Sequence, residues 1–277
     1  MRGISIVGLA FAGVVATAPV ALAGDWDGFV DLGGSWSKFD LSDSPLPPGS
    51  NAAGWSADVR ASASRDFNAR WGVQVDALVD DSVVRQSLGG LTFQSENATG
   101  DVALHLYQRP GNWLFGAILQ YGGELNNSDP STHLFAGFEG QAHWGKLTIY
   151  GQLAYYQVRD SSDAIGGWAS TLQARYFVTP GCLLQAQAGY DQLSLFGYTI
   201  ARWNFSAGGE HQFGASPFSA YARYEHQDLD FAGLFHLRTD GVVAGFRWAF
   251  GGQNKSLEER NNRGTTLDPF VGNHLLD

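Results

Sequence analysis

The sequence predicts an all-β fold, a transmembrane antiparallel up-and-down β-barrel of about twelve strands. Two-faced segments of strand length recur along the chain, short turns alternate with longer polar loops, and every tryptophan lies on an apolar face near a strand end. The 277 residues also include 36 glycines, a frequency typical of many strands and turns.

The segment Val242–Phe250 shows the alternation most clearly. Every second residue from Val242 is apolar or aromatic, whereas the opposite face carries Gly245 and Arg247. The apolar face suits lipid, and a polar lumen accepts an arginine that hydrocarbon does not. We therefore interpret this segment as the closing strand.

Twelve such segments are predicted, each about the 9–11 residues that a tilted strand needs to cross a bilayer. They are 26–37, 54–64, 70–80, 98–108, 113–122, 133–144, 147–157, 167–178, 182–191, 200–212, 217–227 and 239–250. The even number places both ends of the barrel chain on the periplasmic side, where the short turns are expected. The longer connections are 38–53, 81–97, 123–132, 158–166, 192–199 and 228–238.

The nine tryptophans all fall on the apolar face by parity. Indole rings prefer the headgroup layer of a membrane, so this placement predicts a pair of aromatic girdles. The alternative is a soluble β-sandwich or propeller with aromatics in its core. Barrel closure explains the many two-faced strands better.

The N-terminus has the order of a secretory signal peptide. Arg2 precedes the apolar run Ile4–Val15, and Ala21-Leu22-Ala23 offers a small-residue cleavage site. The apolar run is shorter than the roughly 20 residues of a spanning helix, which disfavours a membrane anchor. We predict a signal peptide at 1–23, cleaved after Ala23. Cys182 is the only cysteine, so no internal disulfide can form.

The final strand also resembles an assembly signal. Gly245, Trp248 and Phe250 match the glycine, aromatic and terminal aromatic by which bacterial outer-membrane barrels are recognised, and 25–29 is similar to the start of some porin-family proteins. The resemblance to Gram-negative outer-membrane β-barrels covers 1–250. It implies an outer-membrane location, with lipid, lipopolysaccharide and the assembly machinery as partners. The implied division is a signal peptide at 1–23, a barrel at 24–250 and a periplasmic tail at 251–277.

Charged residues of both signs are predicted on the inner face. Arg60, Asp76, Glu139 and Arg223 are expected nearest mid-height; Arg175, Arg202 and Arg247 are the other candidate pore-lining residues. This lining favours an outer-membrane channel for passive diffusion of small polar solutes. The alternatives are a lumen filled by its own side chains, as in a structural or receptor-type barrel, and, less favoured, a membrane-embedded lipid hydrolase.

The residues that would carry chemistry argue against an enzyme. A phospholipase of this architecture would need a serine and a histidine together on the lipid-facing wall, but His105 and His143 face inward by parity. Neither a metal-ligand cluster of recognisable spacing nor a cofactor motif is found. The net charge of −10 disfavours nucleic-acid binding.

The tail 251–277 breaks the alternation. A solvated periplasmic extension is the default expectation. Contact with the cell wall and partial occlusion of the pore are the alternatives, and the sequence does not decide between them.

Overall fold

Twelve antiparallel strands close into one barrel. Each strand pairs with its neighbours along the chain, and β1 pairs with β12 to complete the ring. The strands are β1 (Asp27–Asp40), β2 (Asn51–Asp66), β3 (Trp71–Leu88), β4 (Leu91–Gln108), β5 (Trp113–Glu124), β6 (Thr132–Trp144), β7 (Leu147–Arg159), β8 (Ala164–Thr179), β9 (Cys182–Leu195), β10 (Tyr198–Gln212), β11 (Phe218–Phe231) and β12 (Phe235–Phe250). A short helix, α1 (Leu257–Arg263), follows. The predicted fold class is confirmed.

The computed structural model describes residues 26–41, 47, 50–88, 91–126, 130–159, 164–195, 198–251, 255–263 and 266–269. The predicted signal peptide at 1–23 lies outside these residues. Within them, no helix is long and apolar enough to cross a membrane.

The barrel has two different ends. At the short-turn end, adjacent strands are joined by tight connections such as Gly145–Lys146, where Gly145 has φ +57°, a conformation that glycine adopts without strain. Both ends of the barrel chain, at β1 and β12, also lie there. At the long-hairpin end, several strands run further than predicted: β3 and β4 stay paired up to Leu88 and Leu91.

The extra length explains why the predicted loop 81–97 was wrong. Beyond the lipid layer both faces of a strand can meet water, so the backbone pairing continues while the alternation of apolar and polar residues is lost. Residues 91–96 of β4 are exposed on both faces. A prediction based on alternation therefore ends the strand too early.

The outer wall carries the predicted aromatic belts. Eight of the nine tryptophans are 37–55% exposed, and the ninth, Trp26, is partly buried before β1. One belt lies toward the short-turn end and contains Trp71, Trp113, Trp144 and Trp248; the other contains Trp36, Trp55, Trp168 and Trp203. The two belts mark the layer that the sequence assigned to lipid headgroups.

The interior is apolar at one level and polar at another. Toward the long-hairpin end, Phe135, Tyr156, Leu193 and Ile200 pack in one buried cluster. The short-turn half instead buries many polar side chains, including Gln74, Asp76, His105 and Thr148. Buried polar groups are costly unless they are hydrogen-bonded, so the position of their partners decides what the lumen can do.

Candidate functional site

A chain of buried polar side chains crosses the inner wall from β2 to β7. Arg60 Nη2 lies 3.0 Å from Asp76 Oδ1, and His105 Nε2 lies 3.0 Å from the other oxygen of Asp76. His105 Nδ1 then lies 2.9 Å from Glu139 Oε1, and the Tyr150 hydroxyl donates to Glu139 Oε2 at 2.8 Å. Neighbouring strands bring these residues together because each projects inward from its own strand.

Three of the four residues predicted near mid-height belong to this chain. Arg60, Asp76 and Glu139 are linked through His105, whereas Arg223 on β11 pairs with Glu225, at 2.6 Å. The Arg223 and Glu225 side chains are about one-third exposed, so this pair faces open space. Whether the four residues form a constriction stays a prediction.

Two further predicted pore-lining arginines bind carboxylates of the barrel wall. Arg202 Nε lies 3.1 Å from Asp191. Arg247 reaches Asp31 through two nitrogens, at 2.7 and 2.8 Å, and Glu210 through a third, at 2.8 Å. These contacts fix both guanidinium groups to the wall.

Residues 255–263, beyond β12, lie in the lumen. In the segment after Phe250, Ser256 caps α1: its hydroxyl accepts from the Glu259 backbone N–H at 3.2 Å, while the Glu259 carboxylate accepts from the Ser256 N–H at 2.8 Å. This reciprocal pair is a capping box. Leu257 on the first turn is buried against Phe177 and Leu183 of β8 and β9. The helix is thereby anchored to the inner wall.

A second anchor lies at 266–269. We call residues 255–263 and 266–269 together the C-terminal segment. Leu267 is 1% exposed and packs with Tyr107, Leu114 and Tyr150. The Gln74 amide Nε2 donates to the Leu267 carbonyl at 2.7 Å, and its Oε1 accepts from the Leu267 N–H at 3.2 Å. The described part of the tail therefore lies inside the barrel, so the default of a solvated extension was wrong for these residues.

Asp268 connects the C-terminal segment to the polar chain. Its Oδ1 accepts from Arg60 Nη1 at 3.1 Å, and its Oδ2 accepts from Arg175 Nη2 at 2.5 Å. Its backbone N–H donates to the Tyr150 hydroxyl oxygen at 3.2 Å, and its backbone carbonyl accepts from the Gln152 amide. Burial disfavours the charged form of Asp268, but Arg175 and Arg60 outweigh burial, so the pKa of this carboxyl lies below its ordinary value.

Arg175 depends on the C-terminal segment more than the other predicted arginines do. Besides Asp268, it donates to Asn261 Oδ1 at 3.1 Å and to the Thr266 carbonyl at 2.8 Å. Its remaining contacts are Gln173 beside it on β8 and the face of the Tyr150 ring. Among the ion pairs of the described chain, Asp268 is its single partner.

An open cavity of 660 Å³ runs beside the C-terminal segment. Its lining extends along β1 from Asp27 at the short-turn end to Phe39 near the long-hairpin end, and along β12 from Leu237 to Phe250. On β3 and β4 only the half toward the long hairpins contributes, from Leu78 onward and up to Asp101. Lining residues therefore reach both ends of the barrel along β1 and β12, whereas on β2 they stop at Arg60, which binds the C-terminal segment.

The residues of the resembled assembly signal lie on the last strand as predicted. Trp248 is exposed on the outer wall, whereas Gly245 faces inward. A Cβ added at Gly245 would lie 2.5 Å from both the Leu32 carbonyl oxygen and the Tyr221 hydroxyl, so only glycine fits. Phe250 ends β12 and pairs with Gly28 of β1, where the barrel closes. Recognition by an assembly machinery stays a prediction.

The histidines lie where parity placed them. His105 is held between two carboxylates, and His143 Nδ1 lies 3.0 Å from the Thr148 hydroxyl. Within the described ranges, no group of three or more histidine, cysteine or acidic side chains is arranged to hold a metal ion. Cys182 is a free thiol.

Comparison with solved structures identifies the fold. An outer membrane channel from Pseudomonas putida F1 matches with a TM-score of 0.63 at 14% identity, over 81% of this chain and 96% of that one. The translocator domain of the autotransporter NalP from Neisseria meningitidis matches with a TM-score of 0.51 at 11% identity, over 88% and 97% of the two chains. No family model and no curated protein matches the sequence. The closed twelve-stranded barrel and these likenesses confirm the resemblance found in the sequence: the chain has the fold of the Gram-negative outer-membrane β-barrels.

Proposed function

We propose that the protein is an outer-membrane channel through which small polar solutes diffuse passively. The observation that carries the proposal is the cavity whose lining continues along β1 from Asp27 to Phe39. A solute would move along the wall of β1 and β12, past the C-terminal segment. The predicted signal peptide supplies the route to the periplasm, and lipid, lipopolysaccharide and the assembly machinery are the proposed partners.

The chemistry of this wall supports polar solutes. Asp31, Asp58, Arg223, Glu225 and Arg247 all line the cavity and carry both signs of charge. The exposed Arg223–Glu225 pair offers both a donor and an acceptor to a passing hydrated solute. Charges in a narrow lumen act strongly because the low-dielectric wall focuses their field.

The size of the path supports passage of small solutes only. The 660 Å³ of open space is bordered by Leu257, Asn261, Thr266 and Asp268 of the C-terminal segment. Since that segment stands inside the barrel, the cross-section is narrower than the strand number alone would allow. We therefore expect small conductance steps and a sharp size limit.

The experiment is reconstitution of the folded protein without its signal peptide. Planar bilayers should show discrete conductance steps, and liposomes should swell in glycine or arabinose but not in raffinose. Liposomes prepared without protein provide the baseline. If folded protein gives neither conductance nor swelling, the channel proposal is refuted.

One observation favours a second candidate, a barrel with a structural or receptor role. The C-terminal segment is held by ion pairs and by two buried leucines, which is also what a permanently closed lumen requires. Absence of conductance from the folded protein would favour this candidate. Hydrolysis of lipid by the same preparation would favour the embedded enzyme instead.

A further inference from the structure

We propose that the lumen contains a carboxylate-binding site that the chain's own Asp268 occupies, and that small solutes bearing a carboxylate bind there in its place. The inference names a solute class and rests on the proposed function only for the route by which such solutes arrive. The site itself consists of Arg60, Arg175, Tyr150 and Gln152, all carried by strands.

The geometry is that of a carboxylate receptor. Each oxygen of Asp268 faces a different guanidinium: Oδ1 lies 3.1 Å from Arg60 and Oδ2 lies 2.5 Å from Arg175. Charge-assisted hydrogen bonds of this kind are among the stronger ones, and guanidinium groups match the planar carboxylate. The Gln152 amide adds a donor for an oxygen on the neighbouring part of the ligand.

The barrel wall itself holds these donors in place. The Arg175 guanidinium lies over the Tyr150 ring, 5.3 Å from its centroid, and the Arg60 guanidinium lies 5.1 Å from the centroid of Phe29. Arg60 is also bound to Asp76, and Arg175 to Gln173. Because these supports belong to the strands, we expect the receptor geometry to survive departure of the C-terminal segment.

Departure of Asp268 would leave one positive charge without a carboxylate. Arg60 would keep Asp76, whereas Arg175 would lose its ion pair and the acceptors on Asn261 and Thr266. With the segment docked, the Arg175 side chain is only 8% exposed, so loss of the Asp268 carboxylate alone, as in Asp268→Asn, leaves an unpaired charge that is unfavourable there. A carboxylate from solution would restore the ion pair.

The site also faces the open cavity. Arg60, Arg175, Tyr150 and Gln152 all contribute to the cavity lining, and the Asp268 side chain is 31% exposed beside them. A solute in the cavity can therefore reach the carboxylate-binding site from the side that faces the cavity.

The tethered Asp268 is a competitor of any free carboxylate. If Asp268 leaves the carboxylate-binding site empty for a tenth of the time or less, the apparent Kd for an added carboxylate is raised about tenfold or more. Asp268→Asn removes the carboxylate but keeps the size of the side chain. This variant should therefore bind a free carboxylate at least about tenfold more tightly than the wild type.

The probe is trifluoroacetate, followed by fluorine NMR line broadening on the detergent-solubilised, folded full-length barrel. Trifluoroacetamide, its neutral analogue, reports binding that does not need the charge. Glu258→Gln is the matched control, since it removes one acidic charge from α1 in the same segment. The double variant Asp268→Asn with Arg175→Gln removes the proposed receptor, and Asp268→Asn with Arg60→Gln tests the second guanidinium. Heat-modifiable migration on gels establishes that each variant is folded.

We expect Asp268→Asn to bind trifluoroacetate more tightly than the wild type and Glu258→Gln to bind it no more tightly. Both double variants should lose the increase in affinity, and the fluorine line of trifluoroacetamide should not broaden. Equal binding by Asp268→Asn and the wild type would overturn the proposal. A folded double variant that binds trifluoroacetate as tightly as Asp268→Asn would also overturn the proposal. Bilayer conductance of the same samples separates the two proposals: a binding gain without conductance refutes only the channel, and conductance without a gain refutes only the carboxylate site.

Discussion

Leu267→Ala should release the C-terminal segment while leaving the barrel folded. Leu267 is 1% exposed and is enclosed by Tyr107, Leu114 and Tyr150. Truncation of such a leucine costs about 2–5 kcal/mol. Since 1.4 kcal/mol is about a factor of ten, the ratio of docked to undocked segment should fall roughly 30-fold to several thousand-fold. The loss concerns docking, because the twelve paired strands do not include this residue.

Limited trypsin digestion measures that ratio. Arg260 and Arg263 lie in α1, so cleavage after them, identified by mass spectrometry, requires an undocked segment, and the rate follows its population when reclosing is fast. Leu237→Ala is the matched control, since Leu237 lines the same cavity on β12 toward the long hairpins. Cleavage of Leu267→Ala should be faster by the factor given above, whereas Leu237→Ala should match the wild type. Equal rates for Leu267→Ala and wild type would refute this account of the anchor.

Three further predictions concern assembly, acid response and the wall. Phe250→Ala should lower the yield of folded barrel more than deletion of 251–277 does, because only the former alters the closing strand; the reverse order on heat-modifiable gels would contradict this. The charged Asp268 carboxylate stabilises docking of the C-terminal segment at pH values above the ordinary carboxyl pKa, and this contribution is lost as the pH falls through the lowered pKa. Conductance of the wild type should therefore rise in acid, and it should rise less in Asp268→Asn. Identical acid responses of the two proteins would refute the role assigned to Asp268. Arg247→Gln leaves the buried carboxylates of Asp31 and Glu210 without their ion-pair partner. It should lower the free energy of unfolding in urea by about 3–5 kcal/mol, whereas Arg238→Gln at an exposed position should lower it by at most about 1 kcal/mol.

Most of the barrel was predictable because one physical rule governs its wall. A strand between lipid and lumen must alternate, and each of the twelve predicted segments overlaps one strand of the structure. The rule stops at the edge of the lipid, which is why 91–96, exposed on both faces, was taken for loop. Turn residues such as Gly145 were correct because the required backbone conformation is local.

The interior was predictable only in part. Parity placed Arg60, Asp76 and Glu139 inside, but parity on one strand does not determine which residue of another strand lies opposite. The partnership of Arg223 with Glu225, two residues along the same strand, and that of Arg247 with Asp31 across the closing seam depend on side-chain direction and register. Arg175 was identified as inward, yet its partner comes from a segment far along the chain.

The C-terminal segment gave the weakest signal. Ser256 followed three residues later by Glu259 is a capping box, and this pattern would have predicted a helix there. Nothing local indicates where such a helix packs, since seven residues carry too little apolar surface to specify a partner. Its position follows from Leu257 and Leu267, which find buried sites on the inner wall.

The central claim is that solutes pass along the wall of β1 and β12, and cysteine accessibility during conductance tests it most directly. In a Cys182→Ser background, Ser35→Cys places a thiol on β1 within the cavity lining, whereas Thr148→Cys places one at a buried position beneath α1. A charged methanethiosulfonate reagent should reduce the conductance of Ser35→Cys and leave Thr148→Cys unchanged. Block of Thr148→Cys with no effect on Ser35→Cys would contradict the proposed path.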